Sequence, residues 1–298
     1  MYRTIMQYQD VFNRLVNKLK SKDEILAVMV FGSIVTGDLW DESDIDLFVI
    51  TNKNMNGIRN IYIEEDNISV HVKLMNKNTF VALVNKNIKG GYVHRIFTSC
   101  KLVFSKDRDI TNLYDRGRYY PDIDRERWNM VYLSNSLKSI GVCKKYLVND
   151  GVYTAYISVV KAIEEFSKLY VNLSGYMISK DAITMAVSLN KDFKQYVDDL
   201  FFNREEVHDS IKRIIDFMEE NINKNIRKTT AILLEYMRKK DEFLSAEDIM
   251  HDPLFENFDI SLEDILERLY ENEIIKRETR DYKTEDGETL FKENVYYL

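Results

Sequence analysis

The chain has 298 residues, which is enough for two or three domains that each bury a core of their own. Hydrophobic residues make up 45% of the sequence and charged residues 31%, the balance of an ordinary soluble globular protein. The longest apolar run, residues 25–31, has the length of a strand and falls well short of the roughly 20 residues that span a bilayer.

The cysteine content and the first residues indicate the setting in which the protein works. Only two cysteines occur, Cys100 and Cys143, and they lie far apart and outside any metal-ligand spacing. The N-terminal stretch is charged and amphipathic, without the apolar segment and cleavage site of a signal peptide. We therefore expect a cytoplasmic, reducing setting and no structural zinc.

The formal net charge of −7 is unevenly distributed. Residues 225–298 contain 11 Lys and Arg against 19 Asp and Glu, whereas the remainder contains 31 against 30. The acidic surplus therefore belongs to the C-terminal region, which bears on what that region binds.

The first part of the chain predicts a mixed α and β unit. Residues 2–20 have apolar side chains at helical spacing, and residues 25–31 form a buried strand that stops at Gly32-Ser33. Further strands are predicted at 44–50, 58–64, 68–75 and 101–105, with helices at 34–36 and 77–86.

Helical periodicity dominates the rest of the chain. The segment 117–124, which contains Pro121, is the best linker candidate. Five helices of a predicted bundle follow, at 125–147, 152–174, 180–189, 193–202 and 205–223. Three more helices at 226–239, 245–250 and 261–272, followed by a hairpin around Asp286-Gly287, predict a winged-helix-like module. The predicted fold class is α+β, with a mixed-sheet domain at 1–118, a helical bundle at 119–224 and the winged-helix-like domain at 225–298.

One motif near the N-terminus carries chemistry. Gly32 ends a strand and lets the backbone approach a phosphate, and Ser33 opens a helix whose free N–H groups favour an anion. Asp44 and Asp46 alternate along the next strand, so they project from the same face. Two carboxylates this close favour a shared divalent cation, and Mg²⁺ is bound by one or two carboxylates together with phosphate oxygens. The pattern therefore predicts a metal–nucleotide site.

These residues resemble the signature of the nucleotidyltransferase superfamily, which has the polymerase-β-like fold. The match runs from Val28 to Ile50 and consists of an apolar strand, Gly-Ser, about ten residues and Asp-x-Asp in a strand. The domain order is most similar to the enzymes that nucleotidylate aminoglycosides and lincosamides, in which a helical bundle contributes to the acceptor site. The resemblance implies that Gly32 and Ser33 bind the nucleotide phosphates and that Asp44 and Asp46 bind Mg²⁺.

The chain departs from this family at a third position. The family places another carboxylate on a later strand, whereas residues 68–74 put His71 there, with Lys73 on the same face. Three interpretations stay open: a weakened or inactive enzyme, an active one in which His71 is a base, or a misassigned register in which Glu64 or Glu65 supplies the carboxylate. Lys73 is predicted either to contact phosphate or to be a solvated strand lysine.

A second candidate lies in the predicted bundle. Lys161, Glu165 and Lys168 fall on one face of a helix. Glu165 is a candidate base for an acceptor hydroxyl, by resemblance to the antibiotic-modifying enzymes. The alternative, which the spacing favours, is a ladder of surface ion pairs.

Charge argues against DNA as a partner of the C-terminal module. Its expected recognition helix carries a single base, Arg268, against five acids: Glu263, Asp264, Glu267, Glu271 and Glu273. DNA binding relies on Lys and Arg neutralising phosphates, so we expect a packing or protein-contact module, with a protein partner or a second copy of the chain as its ligand.

Together with the metal–nucleotide motif, the resemblance implies a Mg²⁺-dependent transferase that moves a nucleoside monophosphate, AMP from ATP, onto a hydroxyl of a small-molecule acceptor and releases pyrophosphate. The alternative is a catalytically weakened nucleotide-binding regulator that acts through its C-terminal domain.

Overall fold

The computed structural model describes residues 5–86, 89–178, 180–203, 207–284 and 286–298. The chain divides into two compact units, Met1–Pro121 and Asp122–Leu298. No helix within the described ranges is long and apolar enough to cross a membrane.

The first unit is built on a five-stranded mixed sheet. Its elements are α1 (Ile5–Lys20), β1 (Ile25–Phe31), α2 (Ser33–Thr36), β2 (Ile45–Thr51), β3 (Arg59–Glu65), β4 (Ile68–Asn76), α3 (Lys77–Lys86), α4 (Tyr92–Ser99), β5 (Lys101–Ser105) and α5 (Arg108–Gly117). The strand order is β3-β4-β2-β1-β5, and β2 and β4 are parallel whereas the other pairs are antiparallel.

Each face of this sheet has its own core, because apolar side chains alternate along nearly fully buried strands. On one face, Ile45 and Leu47 pack with side chains of α1 such as Tyr8. On the other face, Phe48 and Ile50 pack against α3, α4 and α5. One face of β2 is therefore covered by α1 from its first residue, Ile45. On the opposite face, the apolar core includes Phe48 and Ile50 but not Asp46.

Two helices of this unit, α4 and α5, are absent from the sequence prediction. The Asp107 side chain caps α5 by accepting the backbone N–H groups of Asp109 and Ile110. Ile110, Leu113 and Tyr114 then fall on one buried stripe at helical spacing, which packs beneath the sheet.

The second unit is helical and ends in a hairpin. Its elements are α6 (Asp122–Val148), α7 (Val152–Leu173), α8 (Ala182–Leu189), α9 (Lys191–Phe202), α10 (Val207–Thr229), α11 (Ala231–Lys240), α12 (Ala246–Met250), α13 (Leu262–Glu271), β6 (Lys276–Lys283) and β7 (Thr289–Tyr297). One continuous hydrophobic core runs from Met130 to Tyr296. The predicted boundary at 224/225 falls inside α10, and residues 205–206 of the predicted helix at 205–223 lie outside the described residues. The winged-helix assignment stays a prediction.

Candidate active site

Asp44 and Asp46 lie at the start of β2, on the face of the sheet opposite α1. Ile45 and Leu47 are fully buried beneath α1, so Asp46 between them projects from the other face. The side chains of Asp44 and Asp46 are 35% and 27% exposed. Both carboxylates are therefore accessible to solvent, although the adjacent residues Ile45 and Leu47 are buried in the core.

His71 stands directly beside these two acids. The parallel register of β2 and β4 pairs Asp46 with His71. The Nδ1 atom of His71 lies 3.6 Å from Oδ2 of Asp44 and 3.7 Å from Oδ1 of Asp46. The register assumed from the alternation of residues 68–74 is therefore the one in the structure, and one imidazole nitrogen faces both carboxylates.

Gly32 brings the backbone turn against Asp46. Its φ of 78° and ψ of −157° belong to a region that essentially only glycine adopts. A Cβ atom at this position would lie 2.4 Å from Oδ2 of Asp46, well inside van der Waals contact. Ser33 then begins α2, whose first turn closes with the N–H of Val35 donating to the Gly32 carbonyl at 3.0 Å. Glycine is required here by both the backbone conformation and the space that the carboxylate occupies.

The loop that leads to Asp44 is anchored by Tyr8 of α1. The Tyr8 ring is 1% exposed, and its hydroxyl lies 2.8 Å from the Ser43 carbonyl, 3.1 Å from that of Trp40 and 3.3 Å from that of Asp41. Within the loop, the Trp40 N–H donates to Oγ of Ser43 at 3.0 Å. A buried hydroxyl with three carbonyl neighbours holds this loop to the helix, and the loop in turn sets the position of Asp44.

Strand β3 adds an aromatic residue to the same face. The antiparallel register pairs Tyr62 with His71, and their ring centroids are 4.6 Å apart at an interplanar angle of 81°. Asn60 pairs with Lys73, whose Nζ donates to the Asn60 Oδ1 at 3.1 Å. Both interpretations of Lys73, a contact with phosphate and a solvated strand lysine, stay predictions.

Glu64 and Glu65 lie on opposite faces of the sheet. Glu64 pairs with Ser69, so it shares the face of His71, whereas Glu65 pairs with Ile68 and comes within 4.0 Å of Lys18 in α1. Of the two acids, Glu64 is therefore the one on the side of the candidate site.

Sequence reasoning missed Tyr8 and Tyr62. In the helical pattern Tyr8 is one apolar position among several, and the partners of its hydroxyl lie 32 to 35 residues away. The position of Tyr62 carried a usable signal. Asp66 and Asn67 have positive φ angles of 51° and 59°, as a two-residue hairpin turn requires, and this turn fixes Tyr62 opposite His71.

Glu165 lies in the second unit, within a polar cluster on α6 and α7. Its Oε1 accepts from Nζ of Lys168 at 2.7 Å and its Oε2 from the Asn135 amide at 3.3 Å, while Lys168 also pairs with Glu164 at 2.7 Å. Burial lowers the pKa of Lys168, but the hydrogen bonds to Glu164 and Glu165 outweigh it and raise that pKa. The pair of Glu165 with Lys168 belongs to the predicted ladder, whereas the contacts with Asn135 and Glu164 were not predicted. The roles of Glu165 as a base and as part of a surface ladder both stay predictions.

Two arginines on or near α13, the expected recognition helix, form ion pairs with glutamates of the same unit. Arg268 donates to Glu219 at 3.0 Å and to Asn223 at 3.2 Å, both on α10. Arg277 of the hairpin donates to Glu267 at 2.6 Å. The contacts of α13 with α10 agree with a packing module, and partners of this region stay a prediction.

The side chains at the start of β2 suit a hard divalent cation in part. Two carboxylates supply the oxygen ligands that Mg²⁺ prefers, whereas imidazole suits zinc, iron or copper better. His71 approaches both acids, yet within the described ranges no three His, Cys, Asp or Glu side chains are arranged to hold a metal ion. Asp44 and Asp46 alone are thus a partial ligand set, of the kind that substrate phosphates complete.

The sheet-containing region is similar to a known protein family. Residues 13–109 match the family model described as "Polymerase beta, Nucleotidyltransferase". The crystal structure of a nucleotidyltransferase-like protein from Exiguobacterium sibiricum 255-15 is similar, with a TM-score of 0.64 over 97% of this chain and 99% of that chain. The sequence identity is 14%, so this likeness shows the fold alone. No curated protein matches the sequence.

Proposed function

We propose that the chain, whose residues 13–109 form a nucleotidyltransferase domain of the polymerase-β superfamily, is a Mg²⁺-dependent transferase. It moves a nucleoside monophosphate, AMP from ATP, onto a hydroxyl group of a small-molecule acceptor and releases pyrophosphate. The observation that carries the proposal is the meeting of Asp44, Asp46 and the Gly32 turn at one end of the sheet.

Each residue of the site has a role in this proposal. Asp44 and Asp46 would hold the cation, and phosphate oxygens of the nucleotide would supply its other ligands. Bound there, Mg²⁺ would neutralise charge on the phosphates and polarise the reacting phosphorus. Gly32 and Ser33 offer backbone and hydroxyl hydrogen-bond donors to the triphosphate, and Lys73 lies on the same face as a further cation for it.

The transfer forms a bond between the acceptor oxygen and the α-phosphorus and breaks the bond between that phosphorus and pyrophosphate. A base takes the proton of the acceptor hydroxyl. We assign this step to His71, because its imidazole lies beside both carboxylates and is 36% exposed. Glu165 is the alternative base, but its carboxylate already accepts from Lys168 and Asn135.

A second candidate function is a nucleotide-binding regulator with a weakened site. The observation that favours it is His71 itself, since an imidazole stands where the superfamily places a third carboxylate. In this case the nucleotide would bind without being transferred to an acceptor. Nucleotide binding would change the affinity of the C-terminal region for a partner.

A pyrophosphate-release screen with ATP and other nucleoside triphosphates against candidate hydroxyl acceptors tests the transferase. The expected result is acceptor-dependent release that needs Mg²⁺ and is lost in Asp44→Ala. Absence of release with every acceptor, combined with intact Mg²⁺-dependent ATP binding, would favour the regulator.

The His71→Asp variant separates the two functions. If His71 is the base of an active enzyme, the variant loses turnover even if it binds metal more tightly. If the site is a weakened one, restoring a carboxylate raises metal affinity and does not lower an activity that was absent. Turnover and Mg²⁺ affinity measured on the same samples distinguish these outcomes.

A further inference from the structure

The two edges of the five-stranded sheet differ in how open they are. At one edge, β5 has five residues, a register shift against β1 and Lys101 at its start. At the other edge, β3 has seven residues, an unbroken register with β4, and neither proline nor lysine. Six of its residues, 59–64, are exposed. Proteins usually interrupt such an edge with lysine, proline or a bulge, because its open backbone groups pair with other strands.

Three of the six exposed residues of β3 have large apolar side chains. Tyr62 is 69% exposed, Ile63 39% and Ile61 38%. Ile61 and Ile63 share the face of Val70 and Val72 in β4, so the apolar surface of this face continues onto the edge strand β3. Among the described residues, the outer edge of β3 makes no backbone hydrogen bonds.

The sequence of β3 is complementary to itself in the antiparallel sense. If two copies pair about Tyr62, Arg59 falls opposite Glu65, Asn60 opposite Glu64, and Ile61 opposite Ile63. Residues that oppose each other across antiparallel strands share a face, and opposite charges there are favourable. Arg59 forms no ion pair within the described part of the chain, so its charge is open to this contact.

Other registers are worse. A slip of one residue places side chains of opposite faces against each other, which a two-fold axis perpendicular to the sheet forbids. A slip of two residues shortens the ladder and puts Arg59 or Glu65 opposite an isoleucine. The register centred on Tyr62 uses all seven residues and places Arg59 opposite Glu65.

We infer that β3 is a homodimer interface, through which two copies of the chain join their sheets into one ten-stranded sheet about a two-fold axis at Tyr62. The interface is isologous and closes at two copies. Because Tyr62 contacts His71, it borders the candidate active site of each copy.

Sedimentation equilibrium of the full chain tests the oligomeric state independently of any activity. The expected mass is twice 35.3 kDa. A monomer at every concentration up to the solubility limit, or an assembly larger than a dimer, would overturn the inference.

A charge swap tests which surface forms the dimer. Arg59→Glu and Glu65→Arg each place like charges opposite one another twice per dimer, so each raises the dimer dissociation constant about tenfold or more. The double variant Arg59→Glu/Glu65→Arg restores the wild-type dissociation constant. Lys101→Glu on the other edge is the matched control and leaves the mass unchanged. If the dimer dissociation constant is the same in all of these variants, the dimer forms through another surface and the inference is wrong.

A cysteine cross-link tests the register. Tyr62→Cys places two thiols directly opposite each other, and oxidation yields a covalent dimer on a non-reducing gel. Asn60→Cys and Ile61→Cys, which are not self-opposed, are the controls. The native thiols do not interfere, because burial raises the pKa of Cys100 to about 12 and that of Cys143 to about 11. Equal cross-linking of all three variants would rule out the register centred on Tyr62.

Discussion

Acidic side chains are arranged differently in the two units. In the second unit, Glu219 accepts from both Arg268 and Lys144, and these two bases lower its pKa although burial alone would raise it. In the first unit, Asp44 and Asp46 meet around an imidazole, and a glycine leaves room for one of them. Glu219 therefore belongs to a network of ion pairs, whereas Asp44 and Asp46 form the candidate site. Placement, not net charge, distinguishes a ligand site from a structural one.

Charged side chains of α13 also take part in contacts within the second unit. Burial and the neighbouring carboxylate of Glu263 raise the pKa of Asp264. The one arginine of α13 is already engaged with α10.

The largest effect is expected from Gly32→Ala. The new Cβ would fall 2.4 Å from Oδ2 of Asp46, and the backbone strain costs about 1–3 kcal/mol. We expect a lower melting temperature and a loss of Mg²⁺-dependent ATP binding of at least about tenfold, because the carboxylate must move. Denaturant unfolding and calorimetry measure the two effects.

Gly37→Ala is the matched control for that variant. Gly37 also has a positive φ, 85°, but no atom lies within 4 Å of its Cβ position. We expect a comparable loss of stability and unchanged nucleotide binding. If Gly37→Ala weakens nucleotide binding as much as Gly32→Ala, the contact with Asp46 is not the cause.

A smaller effect is expected from Tyr8→Phe, which removes only the hydroxyl that anchors the loop before Asp44. The lost hydrogen bond costs about 1–3 kcal/mol, and nucleotide binding weakens because Asp44 is less well positioned. Tyr114→Phe removes another buried hydroxyl of the same unit, bonded to the Cys100 carbonyl at 2.9 Å. This control should lose similar stability without loss of nucleotide binding, and equal binding by both variants would show that the anchor is only structural.

The smallest effect is expected from Glu165→Gln. Glutamine keeps an oxygen for Lys168 but loses the charge and the second oxygen, which accepts from the Asn135 amide at 3.3 Å. The free energy of unfolding should therefore fall by about 1 kcal/mol, and turnover should not change. Glu164→Gln, which affects the same lysine, is the control. A fall in kcat of Glu165→Gln alone, at constant KM, would instead identify Glu165 as the base.

The sequence predicted the elements whose pattern is local. Strands β1 and β2 are continuous apolar runs, and alternation alone placed His71 and Lys73 on one face and Ile68 and Val70 on the other. The short turn at Gly32 was equally visible. These features need only neighbouring residues in the chain.

What the sequence did not reveal depends on distant contacts. Tyr8 acts through carbonyls more than 30 residues away, and nothing in its helix marks the hydroxyl as different from the other apolar positions. Helix α5 was missed although Asp107 is a good N-cap, because its apolar stripe is short and is buried only once the sheet exists. Likewise, the pairing of Glu165 with Asn135 on another helix follows from packing and not from spacing along α7.

Titration calorimetry of ATP into the wild-type chain and into Asp44→Ala/Asp46→Ala, each with Mg²⁺ and with chelator, tests the central claim most directly. We predict that ATP binds the wild type only with Mg²⁺ and that the double variant shows no metal-dependent binding. Equal affinity with and without Mg²⁺, or retention of metal-dependent binding by the double variant, would contradict a shared cation at Asp44 and Asp46.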